Sequence, residues 1–144
     1  MSFLRKLSAS LSTPAPKAAV DRHLAMAVLL LETARADFER GPDELELIRE
    51  QLAHGLKLDA AQTEALIARA TDSAGTAVSL HEFVAVLNHE LDADGKRELL
   101  AWLWQVAFAD GHIEPREEAM IRQLADLLFV PHADFIKARI AAGG

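Results

Sequence analysis

The sequence contains no cysteine among its 144 residues. Disulfide bonds, thiolate nucleophiles, structural cysteine–zinc sites and iron–sulfur clusters are therefore excluded. The Gly-x-Ser-x-Gly elbow, the glycine-rich phosphate loop, the dinucleotide fingerprint and the His-Glu-x-x-His motif are also missing. Because none of these catalytic signatures is present, we predict that the chain is not an enzyme.

Long hydrophobic runs are missing as well. The longest strongly apolar stretch is Leu24–Leu31, which Glu32 closes, whereas a membrane-spanning helix needs about 20 apolar residues. Residues 1–16 have no continuous apolar core followed by a small-residue cleavage site, so no signal peptide is expected. We therefore expect a cytoplasmic protein without a membrane-spanning helix.

Basic residues are scarce relative to acidic ones. The 15 Lys and Arg residues against 22 Asp and Glu residues give a formal net charge of −7. Nucleic-acid binding needs a concentrated basic surface for phosphate contacts, so the charge argues against nucleic acid as a partner. Divalent cations or basic surfaces of protein partners suit this chain better, and the sequence specifies neither the partner nor the oligomeric state.

The content of hydrophobic residues, 51%, is enough for one continuous core in a chain of this length. We predict an N-terminal arm and linker over residues 1–16 and one helical domain over residues 17–144. Apolar residues recur at helical spacing between positions 3 and 11, beside two basic residues, before prolines interrupt the pattern. The arm is expected to pack on the domain or to fray, and contact of residues 1–12 with an anionic membrane is the alternative.

Apolar residues recur at intervals of three and four after the linker, and helix punctuation separates the periodic segments. Pro42 and Pro115 suit a first helical position, where no amide hydrogen is needed, and Asp59 with Gln62 forms a cap-like start. The predicted fold is all-α, with about seven helices in a compact bundle. The first three cover residues 18–36, 42–55 and 59–70. The fourth begins near residue 79, and the fifth opens within residues 92–95 and reaches 109. The sixth covers residues 115–128, and the seventh begins at 131 or 132.

An internal duplication is the most informative feature of the sequence. Residues 29–49 align without a gap on residues 102–122, at an offset of 73 positions. Such self-similarity indicates two repeated structural units. The matched pairs include Ala34 with Ala107, Ala36 with Ala109, Asp37 with Asp110, Pro42 with Pro115, Glu44 with Glu117, Ile48 with Ile121 and Arg49 with Arg122.

The segment ADGHIEPREEAMIRQLADLL, with its degenerate copy ARADFERGPDELELIREQL, resembles the TerB family of tellurite-resistance proteins. The resemblance spans about residues 20–140 and is closest to the short stand-alone bacterial members. In these, a helix ending in Ala-Asp-Gly turns into a second helix beginning Pro-x-Glu. The first copy departs from this pattern at Phe38, where Gly is favoured, and at Arg40, where an apolar residue is usual.

This resemblance implies an all-helical fold of two pseudo-repeated units and a role in the response to tellurite or metal stress. It also implies a divalent-metal site formed by acidic residues, and it implies no established catalysis. A related module occurs at the membrane-associated end of a DnaJ-like co-chaperone family, which keeps an adaptor role open.

The repeated acidic residues are the candidate site. In each copy a Glu follows an Asp by seven residues, so that the turn between two helices can bring their carboxylates together. If the copies face each other, Asp37, Glu44, Asp110 and Glu117 form a set of oxygen ligands suited to calcium, magnesium or manganese. Residues 114 and 118, both Glu, can supplement this set.

A metal-free interpretation explains the same residues. A Glu in the first turn of a helix is favoured by the positive end of the helix dipole, and Asp before Gly is common in tight turns. The main interpretation is therefore a non-catalytic metal-binding module. The alternatives are a structural adaptor domain without an ion and a metal-dependent hydrolase that uses the same carboxylates.

Other possible metal ligands carry less weight. The DADG stretch at 92–95 lacks the later ligands of an EF-hand, so Asp92 and Asp94 are expected to cap the next helix. The separation of His81 and His89 is too wide for a chelate, which predicts surface or partly buried histidines. His112, two residues from the predicted ligand at position 110, is a candidate outer-shell or pH-sensitive group.

Overall fold

The computed structural model describes residues 14–35, 42–74, 80–109, 111 and 113–143. Seven helices account for most of these residues, and no strand occurs among them, so the predicted all-α fold is confirmed. The helices are α1 (Pro14–Arg35), α2 (Pro42–Gly55), α3 (Ala60–Ala74), α4 (Leu80–Glu90), α5 (Ala93–Ala107), α6 (Pro115–Leu127) and α7 (His132–Ala142).

Local capping signals place the starts of several helices. The backbone N–H of Asp59 donates to the side chain of Gln62 at 2.9 Å, and the N–H of Gln62 donates back to Asp59 at 2.7 Å. At α5 the N–H of Gly95 donates to Oδ1 of Asp92 at 2.8 Å, which confirms the predicted capping by Asp92, whereas Asp94 lies within the first turn of the helix. These side chains satisfy amide groups that have no partner inside the helix.

The largest differences from the predicted boundaries are at the start of α1 and the end of α3. Helix α1 begins at Pro14 instead of Ala18, because prolines at positions 14 and 16 fall in its first turn, where the missing N–H breaks no helical bond. Helix α3 continues past the predicted end at Ala70. The hydroxyl of Thr71 donates to the carbonyl oxygen of Ile67 at 2.8 Å, so this polar residue is accommodated within the helix.

Helix α1 lies at the centre of the bundle. Its residues 25–31, all but the first of the apolar run noted above, are consecutively buried, with at most 6% of each residue exposed. A helix that is apolar on every side needs neighbours on every side. Helix α1 packs accordingly against α2, α3, α4, α5 and α6.

The duplication seen in the sequence is also present in the fold. Helices α1, α2 and α3 form one unit, α5, α6 and α7 form the other, and α4 connects them. Within each unit the first helix packs against both the second and the third. The equivalent helices α1 and α5 also contact each other, so the two units meet through corresponding elements.

Candidate functional site

Glu44 and Glu117 occupy equivalent positions, each as the third residue of its helix, α2 or α6. Both are almost completely buried, with 3% and 1% of their surface exposed, and the Oε2 atom of each is shielded from solvent. Removing a carboxylate from water is costly unless hydrogen bonds or positive charge compensate, and the helix N-terminus supplies part of that compensation. Since an exposed Glu can organise a helix start equally well, burial in both copies exceeds what capping requires.

Glu117 nevertheless takes part in the start of α6. The backbone N–H of Glu114, which precedes the helix, donates to Oε1 of Glu117 at 3.3 Å. This contact belongs to a capping box, in which a first-turn side chain reaches back to the amide that precedes the helix. The metal-free interpretation therefore accounts for this contact of Glu117.

The other two predicted ligands, Asp37 and Asp110, lie outside the described residues, as does His112. Along the chain, each Asp comes within three residues of the end of a first helix, α1 or α5. Among the residues that the structure describes, no three His, Asp or Glu side chains are grouped so as to hold a metal ion. Because the described residues include neither Asp37 nor Asp110, the four-carboxylate site stays a prediction.

Glu118, considered above as a supplementary ligand, is engaged by two cations. Arg139 on α7 donates to its Oε2 atom at 3.1 Å, and Nη2 of Arg122 lies 3.9 Å from Oε1. The guanidinium of Arg122 also stands 5.1 Å from the ring centroid of Phe135 on α7. Glu118 thus serves to hold α6 against α7, a role that needs no metal.

The matched residues Arg49 and Arg122 have corresponding tasks in the two units. Arg49 on α2 donates to Glu64 on α3 at 2.5 Å and to Glu46 at 2.9 Å. The hydrogen bond to Glu64, followed by the one to Glu46, raises the pKa of Arg49 above its ordinary value. In each unit an arginine therefore joins the second helix to the third, a role that the sequence alignment did not reveal.

Gln51 connects the two units and was not identified from the sequence. Its side chain is buried, and its Nε2 group donates to the carbonyl oxygen of Trp102 at 3.1 Å and to Oε1 of Gln105 at 2.9 Å. These bonds fix α2, which carries Glu44, relative to α5, which precedes Asp110. The only sign of this role in the sequence is that Gln51, an amide, stands on the buried face of α2 beside the apolar residues Ile48 and Leu52.

A close approach of α2 to α5 lies beside this connection. A Cβ atom built on Gly55 would overlap the indole ring of Trp102. Trp102 is partly exposed, whereas Trp104 is fully buried and makes an edge contact with Phe135, with ring centroids 5.2 Å apart. One tryptophan therefore fills the core while the other lies at its edge.

The described histidines offer no cluster for a transition metal. His81 and His89 are exposed on α4, as the spacing predicted, and Nε2 of His89 lies 3.9 Å from Oε2 of Glu90. No helix within the described ranges is long and apolar enough to cross a membrane.

Comparison with known proteins identifies the family. A family model described as "Tellurite resistance protein TerB" matches residues 23–140, a segment that contains both copies of the repeat. A search of curated proteins and a search of solved structures each found no match. Because the model covers most of the sequence and the fold consists of two repeated helical units, the chain belongs to the TerB family of tellurite-resistance proteins.

Proposed function

We propose that this TerB-family chain is a non-catalytic, cytoplasmic stress-response module that binds one divalent cation and presents a helical surface to protein partners. The proposed ligands are Asp37, Glu44, Asp110 and Glu117. The observation that carries the proposal is the burial of Glu44 and Glu117 at equivalent helix starts. A cation bound between these carboxylates would add favourable charge interactions at both helix starts.

The chemistry of the proposed ligands restricts the ion. All four are carboxylates, and the chain has no cysteine, so the site offers hard oxygen donors without sulfur. Calcium, magnesium and manganese are the divalent cations that such donors suit. The ion would have a structural or sensing role, holding together residues that follow α1 and α5 with residues that begin α2 and α6.

The test is a thermal melt of chelator-stripped protein with calcium, magnesium, manganese or zinc. An ion present at about 100 times its dissociation constant adds about 2.7 kcal/mol to the free energy of unfolding, which raises Tm by several degrees. The parent protein is expected to show this rise with one ion. Glu44→Gln, Glu117→Gln and the double variant Asp37→Asn, Asp110→Asn are each expected to lose it.

Asp43→Asn provides the matched control, because Asp43 is an exposed neighbour of Glu44 in the same helical turn. This variant loses the same formal charge and is expected to keep the ion-dependent rise in Tm. The absence of a rise with any ion in the parent protein contradicts the proposal. An equal rise in the parent and in all the ligand variants contradicts the choice of residues.

The second candidate function is a metal-free adaptor domain, which the hydrogen bond from Glu114 to Glu117 favours. In this alternative the repeated carboxylates stabilise helix starts, and protein partners, or an anionic membrane surface contacted by residues 1–12, provide the function. A parent protein that is insensitive to every ion would favour this alternative.

A further inference from the structure

A cleft of about 260 Å³ lies between α1 and α3 in the first unit and contains neither of the repeated glutamates. One side chain comes from α1, one from the loop before α3, and the others recur along one face of α3. The lining residues are His23, Leu58, Gln62, Ala65, Leu66 and Arg69.

One cationic side chain lines this cleft, although the chain as a whole has a net charge of −7. Arg69 lines the cleft, and Arg22 is the neighbour of His23 along α1. Within the described part of the chain, neither arginine forms an ion pair, whereas four others, Arg49, Arg97, Arg122 and Arg139, each pair with a carboxylate. Among the described residues, the cleft therefore offers a guanidinium, that of Arg69, that forms no ion pair.

The floor of the cleft is apolar. Leu66 is 6% exposed and belongs to the core, and the partly buried Leu58 packs against the same core. His23 stands at the edge of this floor, where burial, with a smaller contribution from Arg22, lowers its pKa from the ordinary value. An apolar floor beside a few convergent polar groups is the usual arrangement of a small-molecule site.

We propose that this cleft binds an amphipathic carboxylate, with the anionic group against Arg69 and His23 and a short apolar chain over Leu58 and Leu66. Two sources share this chemistry: a free short-chain carboxylic acid and the C-terminal residue of a peptide. Charge-assisted hydrogen bonds from a guanidinium give such a carboxylate its affinity and orientation. The site is independent of the proposed metal ligands.

The experiment is an NMR titration of the full chain at low ionic strength with hexanoate and with an acetylated dipeptide ending in leucine. Both probes are expected to shift the signals of residues 58–69 and of the His23 ring, which the His23→Gln variant identifies. A carboxylate close to His23 favours the charged imidazole, so the pKa of His23 is expected to rise on binding. Hexylammonium and sodium chloride at equal ionic strength are expected to leave these signals unchanged.

Arg69→Gln is expected to weaken the binding of hexanoate about tenfold, the usual loss when a charge-assisted hydrogen bond is removed. Lys137→Gln is the matched control, since Lys137 is an exposed cation on α7 outside the cleft. Tighter binding of the dipeptide than of hexanoate would indicate a protein terminus as the source, and the reverse would indicate a free acid. Equal shifts with hexylammonium or sodium chloride, or unchanged affinity in Arg69→Gln, would overturn the proposal.

Discussion

Gly55 and Trp102 show how single positions determine the approach of α2 to α5. The missing side chain at position 55 leaves room for the indole, and Gln51, one turn earlier, bonds to the backbone of the same tryptophan. Packing and hydrogen bonding therefore act on the same pair of helices. Between them they set the distance between the helix that carries Glu44 and the helix that precedes Asp110.

Gly55→Ala is expected to lower the free energy of unfolding by about 1–2 kcal/mol, as measured by urea denaturation. The new methyl group overlaps the Trp102 indole, and overpacking costs about 1–3 kcal/mol. The better helix propensity of alanine returns at most about 1 kcal/mol. In a Trp102→Leu background the overlap is absent, so the same substitution should be stabilising there. A gain in stability in the parent as well would show that the indole moves aside without cost.

After α2 and α6, residues other than glycine occupy the left-handed position that ends the helix. Lys57 has a φ of 58° and Phe129 a φ of 59°, the left-handed conformation that usually favours glycine. After each of these residues, a backbone N–H bonds back to a carbonyl of the helix, from Leu58 to Ala53 and from Val130 to Ala125, both at 2.9 Å. Both second helices thus end in a Schellman arrangement that contains a strained residue.

Lys57→Gly is expected to raise the free energy of unfolding by about 0.5–1 kcal/mol. Glycine removes a left-handed strain of about 1–2 kcal/mol but costs part of it in unfolded-state entropy. Urea denaturation measures the change, and Lys57→Ala, which keeps the Cβ atom, should show no comparable gain. Equal stability of the glycine and alanine variants would contradict the attribution to backbone strain.

Elements marked by local chemistry were predictable from the sequence. Pro42, Pro115 and the Asp59–Gln62 pair mark helix starts through effects that act within one turn. The hydrogen bonds of Gln51 were not predictable, because its two partners are 51 and 54 residues away from it in the sequence. For the candidate site, the repeat identified Glu44 and Glu117 as equivalent, but their burial depends on packing between helices that spacing does not encode.

The bundle as a unit is organised around α1, which contacts helices of both repeated units. If either unit unfolded alone, the apolar surface of α1 would be exposed to water, with a large loss of hydrophobic stabilisation. Helix α1 therefore couples the stability of the second unit to that of the first. We expect the two units to unfold together.

Urea unfolding followed by two signals tests this coupling. Both tryptophans lie on α5, so fluorescence reports on the second unit, whereas far-UV circular dichroism reports on all the helices. The two curves are expected to coincide, as they do for one cooperative transition. Leu29→Ala on α1 should lower the stability seen by both signals by about 2–5 kcal/mol, the usual cost of such a cavity. Separate midpoints for the two signals would show that the units unfold independently.

The contact between the equivalent helices α1 and α5 has a consequence for how the two halves diverge. In a symmetric dimer of identical half-length chains, every substitution at such a contact appears on both sides of the axis. A single covalent chain is free of that restriction. Positions 29 and 102 correspond in the repeat, yet one holds a fully buried Leu and the other a partly exposed Trp seated against Gly55. Because the two halves are joined in one chain, corresponding positions can carry different side chains in different surroundings.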